Sequence, residues 1–226
     1  MKESRPKTID VPLRVMTIAD CHGTLHKQEL ILAYKGEKPD IIFFLGDNYM
    51  EDLELCLDFF NEQGMKDVLK VGIVGNHEDK TLLSRPMFRA HIRNIDRTVI
   101  YHKGLRIGGF PGCIKYKDED DIYQLWTNQE SEDLLKDFAP VDIFVCHDQP
   151  AWERPSLIDA HSGLTGIGKY IQKNNPKVML HGHLHERYES SVSCRAGLFK
   201  KKQETKIFCC YRAESFDLTV ERRMDN

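Results

Sequence analysis

The sequence has few of the features that mark membrane proteins or nucleic-acid-binding proteins. No apolar run approaches the roughly 20 residues that a membrane-spanning helix needs. Residues 1–7 hold no apolar segment of signal-peptide length. The formal net charge is only −3, so the chain has no overall attraction for nucleic acid or for an anionic membrane. We therefore expect neither nucleic acid nor a membrane as a partner.

Signals for cysteine pairing are also missing. The chain has seven cysteines, an odd number, and none of them forms a Cys-x-x-Cys pair. This pattern argues against a disulfide framework and against a zinc site built from thiolates. Cys209 and Cys210 are adjacent and would point to opposite faces of a strand, which suits reduced, buried thiols. We therefore expect a cytoplasmic protein.

The sequence also lacks internal repeats and linkers rich in glycine, serine or proline. Its length of 226 residues fits one domain, which we expect to span residues 1–226. A domain of this size buries about 70–75% of the surface that its unfolded chain exposes. Neither a disulfide nor a metal is therefore needed merely to hold its core.

The first part of the chain alternates between short apolar runs and segments with helical spacing, as in a largely parallel sheet. The predicted strands cover residues 13–19, 40–45, 68–74, 98–101, 105–110, 141–146 and 178–185. The predicted helices cover residues 25–34, 50–63, 128–138 and 163–174, the third capped by Thr127 or Asn128. Three later runs, 187–193, 206–211 and 216–220, have strand alternation and make the C-terminal segment 187–226 rich in β-structure.

Polar side chains lie at or just beyond the carboxyl ends of five of these strands, where ligands of parallel sheets bind. They are Asp20 and His22, Asp47, Asn76 and His77, His147, and His183 and His185. Oxygen and imidazole donors without thiolate suit Mn²⁺, Fe or Zn²⁺. Because residues two apart in a strand point to the same side, we expect His183 and His185 to reach one small volume.

The number of these donors indicates two metal ions. Seven ligands are too many for one ion that keeps an open position, but they fit two ions that share a carboxylate. Two ions about 3.5–4 Å apart can deprotonate a bridging water and hold both the entering oxygen and a phosphoryl oxygen. The reaction class that follows is hydrolysis of a phosphate ester. His77 is placed to protonate the leaving oxygen or to bind phosphate.

Five motifs resemble, in order, those of the calcineurin-like metallophosphoesterases over about residues 13–186. They are Asp20-x-His22, Gly46-Asp47, Gly75-Asn76-His77-Glu78, His147 and Gly182-His183-x-His185. The resemblance implies an α/β fold in which two mixed β-sheets form a sandwich with helices on both outer faces. It also implies a first ion bound by Asp20, His22, Asp47 and His185, and a second bound by Asp47, Asn76, His147 and His183. In this assignment Asp47 bridges the two ions and His77 is the catalytic histidine.

One motif departs from the protein Ser/Thr phosphatases of this superfamily, which carry Gly-Asp-x-x-Asp-Arg-Gly. Here Met50 stands at the second aspartate and Glu51 at the arginine. An acid at the arginine position would repel the dianion of a phosphomonoester, whereas a phosphodiester carries one negative charge. The chain is more similar to the small bacterial and phage-type phosphodiesterases.

We therefore expect a dinuclear phosphodiesterase that acts on a nucleotide-like or other small ester. Its cofactors would be two divalent ions, with Mn²⁺ favoured and Fe, Zn²⁺ or Ni²⁺ as alternatives. A phosphomonoesterase or a nuclease would use the same core, and a non-catalytic binding scaffold is the alternative from another class. The nuclease has little support, since the only basic run is Lys200–Lys202 with Lys206.

Several residues keep two interpretations. His181 is left without an ion by the resemblance and supports a ligand or fills the core. His161 is a substrate contact or an ordinary loop residue. Asp148 and Glu78 follow ligands directly and either support them or are merely solvated. Residues 115–122 form a charged loop that is solvated or gates the substrate.

Overall fold

The computed structural model describes residues 8–118, 122–153, 158–196 and 201–223. In these ranges the strands are β1 (Thr8–Ala19), β2 (Ile41–Phe44), β3 (Leu69–Gly72), β4 (Arg93–Asn94), β5 (Val99–His102), β6 (Leu105–Phe110), β7 (Cys113–Ile114), β8 (Leu125–Trp126), β9 (Ile143–Cys146), β10 (Val178–His181), β11 (Tyr188–Ala196), β12 (Lys201–Cys209) and β13 (Arg212–Arg223). The α-helices are α1 (Lys27–Tyr34), α2 (Met50–Glu62), α3 (Pro86–Arg89), α4 (Asn128–Lys136) and α5 (Thr165–Asn174).

Two large mixed sheets organise these elements, which confirms the predicted architecture. The first sheet has the order β13-β1-β2-β3-β4, and only β13 runs antiparallel to its neighbour. The second has the order β11-β12-β10-β9-β6-β5, with antiparallel strands at both edges. The C-terminal strands are thus divided between the sheets: β11 and β12 extend the second, and β13 closes the edge of the first.

Strand β2 shows why the central strands read as unbroken apolar runs. All four of its residues are buried. Ile41 and Phe43 pack in the core between the two sheets, whereas Ile42 and Phe44 pack against the helices on the outer face. Since successive side chains point to opposite faces, a strand covered on both sides is apolar throughout.

The second sheet is covered in the same way by α4 and α5. Phe144 of β9 and Tyr170 of α5 contact each other with ring centroids 4.3 Å apart. Of the two predicted N-cap candidates for α4, Thr127 is the one in the structure, and its side chain accepts a hydrogen bond from the Glu130 backbone amide at 3.2 Å. The four layers are therefore helix, sheet, sheet and helix.

Some predicted elements differ from the structure. Residues 79–95, for which the sequence predicts no helix or strand, contain a 3₁₀-helix (Leu82–Ser84), α3 and the short edge strand β4. The last strand of the parallel series ends at His181 rather than at His185. Lys200 and residues 119–121 of the charged loop lie outside the described residues, and Lys201 and Lys202 begin β12.

Two further features of the fold concern membrane-spanning helices and cysteines. In the described ranges no helix is both long and apolar enough to cross a membrane. All seven cysteines are buried and free of disulfide bonds.

Candidate metal centre

The carboxyl ends of the strands from both sheets meet at one place. In the first sheet, the backbone amides of Asp20 and His22 donate to the carbonyls of Gly46 and Asp47, each at 3.0 Å. The His183 amide crosses from the second sheet and donates to the Asp20 carboxylate at 2.9 and 3.1 Å. These bonds join the loops of the two sheets into one site.

Five of the predicted ligands have left-handed backbone conformations. Their φ values are 52° for Asp20, 48° for His22, 53° for Asp47, 71° for His183 and 54° for His185. Such conformations cost a non-glycine residue about 1–2 kcal/mol each. The surrounding hydrogen bonds offset this cost, and the tight turns direct the side chains to a common volume.

The turn after β10 corrects one prediction. His183 and His185 do not lie on one face of a strand, because the strand has already ended and both residues are left-handed. They belong instead to two separate clusters of donors. Alternation therefore gave the wrong reason for placing them at the site.

Two groups of side chains bring donor atoms within 4.8 Å of one another. The first is Asp20, His22 and His185, and the second is Asp47, His147 and His183. Asn76 joins the second group, since its Oδ1 lies 3.0 Å from His147 Nε2. Asp47 Oδ2 lies 3.4 Å from His147 Nε2 and 3.7 Å from His22 Nε2, and thus stands between the groups. All seven predicted ligands are brought together.

The spacing of the donors suits divalent cations. His22 Nε2 and His185 Nε2 are 3.1 Å apart. Two ligands that each lie about 2.1 Å from one ion are about 3 Å apart when they subtend a right angle at it. Asp47 Oδ2 is buried and accepts no hydrogen bond within the described part of the chain. Imidazole nitrogens from both groups lie within 3.7 Å of this oxygen, so the donor set fits two ions around Asp47.

Hydrogen bonds to the other ring nitrogens select the atom that each buried histidine can offer. His147 Nδ1 lies 2.8 Å from the Leu45 carbonyl, so it donates there, and Nε2 is the nitrogen that faces the donor group and that a cation would contact after displacing its proton. His183 Nε2 lies 2.6 Å from the Ala160 carbonyl, so it donates and leaves Nδ1. The fold thereby fixes both imidazoles in an orientation suited to a cation.

Burial and mutual attraction compete at Asp47 and His147. Burial by itself would raise the pKa of the Asp47 carboxyl and lower the pKa of His147. Their attraction is stronger: it holds the pKa of Asp47 well below its usual range and raises the pKa of His147 to about 10. Without metal the two residues form an ion pair, in which the proton on His147 stands in for a cation.

The other donors are shifted chiefly by burial. Burial raises the pKa of Asp20 to about 7, although His147 opposes the shift. Burial, with repulsion from His147, lowers the pKa of His183 to about 3. Burial also lowers the pKa of His22 and of His185. Neutral imidazoles at neutral pH are the form that binds a metal.

The two groups differ in exposure. The His147 side chain is fully buried, whereas the side chains of His22 and His185 are 25% and 48% exposed. His77 lies on this open side: its backbone amide donates to Asp47 Oδ1 at 2.8 Å, and its ring centroid is 5.2 Å from that of His22. The first group therefore faces the entrance of the site.

The structure locates the four residues for which the sequence left two interpretations. His161 packs edge-on against His183, with centroids 4.9 Å apart, and so belongs to the site. His181 is buried beside the Tyr188 hydroxyl, 3.2 Å away, and is in neither donor group. The Asp148 carboxylate accepts a hydrogen bond from the backbone amide of Ile114 at 3.0 Å, which ties the loop after β9 to β7. Burial raises the pKa of Glu78 well above its usual value, and repulsion from the nearby Asp47 adds to the shift.

The structure also locates Met50 and Glu51, the two residues at which the Gly46-Asp47 motif differs from that of the protein phosphatases. Met50 is 41% exposed at the start of α2. Glu51 lies against the turn at Gly23, so close that a Cβ on this glycine would be 2.6 Å from Glu51 Oε1. An acid therefore borders the loop that carries His22.

Sequence reasoning missed two side chains that hold this loop. Asp52 is buried and accepts the amides of Gly23 at 2.7 Å, Leu25 at 3.1 Å and Tyr49 at 2.9 Å. Its position in the first turn of α2 was a signal for a capping role, but not for its bonds to the loop after β1. Arg212 bonds to Thr24 from the other side, and no sequence motif indicates it.

Comparison with known proteins agrees with the fold and identifies the family. The family model of calcineurin-like phosphoesterases matches residues 13–187, and the chain belongs to this family. The crystal structure of TT1561 of Thermus thermophilus is similar, with a TM-score of 0.56 and 15% sequence identity over 89% of this chain and 90% of that chain. At this identity the likeness concerns the fold alone. No curated protein matches the sequence.

Proposed function

We propose that the protein is a metal-dependent phosphodiesterase that hydrolyses a small, nucleotide-like or similar ester. The observation that carries this proposal is Asp47 Oδ2, a buried oxygen without a hydrogen bond in the described residues and within 3.7 Å of a histidine from each donor group. Membership of the phosphoesterase family supports the reaction class.

The proposed ligands follow the two donor groups. Asp20, His22, Asp47 and His185 would hold the first ion, and Asp47, Asn76, His147 and His183 the second. When bound, such ions activate water and neutralise charge on the phosphoryl group. Mn²⁺ is the favoured metal because the donors are oxygen and imidazole only, and Fe, Zn²⁺ or Ni²⁺ are alternatives.

The chain itself would orient the substrate and move protons. The backbone of His77 holds Asp47 Oδ1, while its exposed ring is free to donate a proton to the leaving oxygen. This role needs a ring within hydrogen-bond reach of the ester, and the entrance beside His22 provides that position.

A diester suits the charges around the entrance better than a monoester. Glu51 borders the loop of His22 and would repel a second negative charge on the phosphate. Two arginines beside the first donor group are engaged elsewhere: Arg187 with the Tyr211 carbonyl and Arg212 with Glu29. We propose a small phosphoester as the partner, without nucleic acid or membrane, and a cytoplasmic location, in keeping with seven free cysteines.

The test is an assay of metal-depleted protein reloaded with Mn²⁺ on an aryl phosphodiester and on the matching aryl phosphomonoester. The diester should be cleaved faster, and Asp47→Asn and His147→Gln should abolish cleavage. His91→Gln, which changes an exposed histidine away from the site, is the control and should keep full activity. Full activity in Asp47→Asn and His147→Gln would refute the site, and preference for the monoester would refute the substrate class.

A further inference from the structure

The chain crosses from one sheet to the other beside the first donor group. At the end of β12, Cys209 pairs with His181 of β10. At the start of β13, Arg212 pairs with Ala19 of β1. Tyr211 lies in this crossing, between the strand that precedes His185 and the strand that precedes His22. The crossing is outside residues 13–187, the part that the family model matches.

Tyr211 contacts His185 directly. The two rings are stacked, with centroids 5.4 Å apart and planes inclined by 17°. The backbone of Tyr211 is itself fixed: its carbonyl accepts from Arg187 Nε at 2.9 Å and Nη2 at 2.7 Å, and its amide donates to Glu214 at 3.3 Å. A ring held in this way limits the orientations open to the half-exposed imidazole of His185.

Arg212 holds the loop that carries His22. Its Nη1 donates to Thr24 Oγ1 at 3.0 Å and its Nη2 to the Thr24 carbonyl at 2.6 Å. The same guanidinium makes a two-pronged ion pair with Glu29 at the start of α1. Because Thr24 is two residues from His22, Arg212 ties the turn of this ligand to both a helix and a strand.

The second donor group does not need support from the crossing. Its histidines are buried, and each is fixed by a backbone carbonyl: Leu45 for His147 and Ala160 for His183. His22 and His185 are more exposed, and their Nε2 atoms nevertheless face each other at 3.1 Å. In this structure the two nitrogens hydrogen-bond to each other. If an ion took the place of that hydrogen bond, groups outside the imidazoles would have to keep both rings aligned, and Tyr211 and Arg212 contact the two ligands or their loops from the crossing.

We propose that Tyr211 and Arg212 are positioning residues for the first metal ion. Tyr211 sets the plane of His185, and Arg212 sets the loop of His22, so that the two donor atoms converge. The inference rests on the proposed function, since it assigns an ion to the first donor group. Loss of a group that orients a ligand lowers metal affinity by about 10–100-fold.

The test is an equilibrium titration of the full chain with Mn²⁺, followed by calorimetry, and with Co²⁺, followed by its visible spectrum. His185→Ala identifies which of two affinities belongs to the first group. Tyr211→Leu and Arg212→Met should weaken that affinity by about 10–100-fold and alter the spectrum of one Co²⁺ ion, while the other affinity stays unchanged. Tyr211→Phe keeps the stacked ring and should bind both ions as the parent does.

Lys177→Met is the control, because it removes the ion pair that Lys177 forms with Glu221 of β13 at 2.8 Å, far along the strand from Arg212. It should leave both affinities unchanged. Parental affinity for both ions in Tyr211→Leu and Arg212→Met would overturn the inference and leave the proposed function intact. An equal fall in both affinities, in step with a lower unfolding temperature, would also overturn it. A parent that binds no ion would overturn the proposed function as well.

Discussion

Asp47 and His147 form a buried ion pair across the junction of the two sheets, with 3.4 Å between Asp47 Oδ2 and His147 Nε2. Asp47 follows the second strand of one sheet, and His147 follows a central strand of the other. Since both side chains are buried, each depends on the other for its charge. A metal ion at this place would have to displace the proton that His147 carries.

Proton release should therefore accompany metal binding. Because the pKa of His147 is raised to about 10, the metal-free protein holds this proton at neutral pH. Affinity for Mn²⁺ should rise as the pH increases from about 6 to about 9, since fewer protons then compete. Calorimetry in two buffers with different ionisation enthalpies measures the number of protons released. Equal apparent enthalpies in the two buffers would contradict the prediction.

Asp20 should make the metal-free protein less stable as the pH rises. Its pKa is raised by burial to about 7, against about 3.9 in an unfolded chain. Between these values the folded state keeps a proton that the unfolded state has lost, so its contribution to stability falls from about pH 4 to about pH 7 and then levels off. In EDTA, Asp20→Asn should gain stability over the parent across this interval, as measured by urea unfolding. A difference that does not change with pH would argue against the shift.

Gly75→Ala should move the Asp47 carboxylate, which we propose to be shared by two ions. A Cβ at Gly75 would lie 2.1 Å from Asp47 Oδ1, closer than any real contact. We expect weaker binding of both ions and at least about a tenfold loss of activity. Gly64→Ala is the comparison, because a Cβ there meets nothing within 4 Å, although its φ of 67° strains the backbone. It should lower stability by about 1 kcal/mol and leave metal binding unchanged.

Asp52→Asn should destabilise the loop after β1. An amide presents only one acceptor oxygen, whereas the Asp52 carboxylate accepts three backbone amides with two oxygens. The expected cost is about 1–3 kcal/mol in the free energy of unfolding, measured in urea. Asp58→Asn, an exposed site on the same helix, should cost less than about 0.5 kcal/mol. Similar losses in both variants would show that the three bonds carry no special weight.

His77→Gln should slow the hydrolysis of esters with poor leaving groups more than that of esters with good leaving groups. If His77 protonates the leaving oxygen, an alkyl ester with a poor leaving group should lose about 100-fold or more, and an aryl ester much less. Metal content should not change, because His77 contributes a backbone amide rather than its ring to Asp47. A uniform loss across leaving groups would assign His77 to binding the phosphate.

The sandwich and the seven donors were predictable because local signals and the sequence order of motifs agree. Apolar runs such as Ile41–Phe44 mark strands covered on both faces, and each polar residue follows such a run. The left-handed turn of His183 and His185 was not predictable from strand alternation, since its geometry comes from the bond between the His183 amide and Asp20.

The contacts that support the ligands were hidden for a different reason. Arg212 is 188 residues from Thr24 in sequence, and Tyr211 meets His185 only because β12 and β13 belong to different sheets. Contacts between residues so far apart in the sequence produce no local pattern of hydrophobicity or composition. The family resemblance also ends before these residues.

The pairing of β1 with β13 carries a consequence for biosynthesis. Thr8 lies opposite Arg223 and Ala19 opposite Arg212. Strand β1 can therefore pair with β13 only after β13 has been synthesised. A ribosome delivers residues in sequence order, and a nascent chain that stops before β13 has neither this edge nor the guanidinium that braces Thr24. The turn that carries His22 is consequently braced only after β13 has been synthesised and has paired with β1.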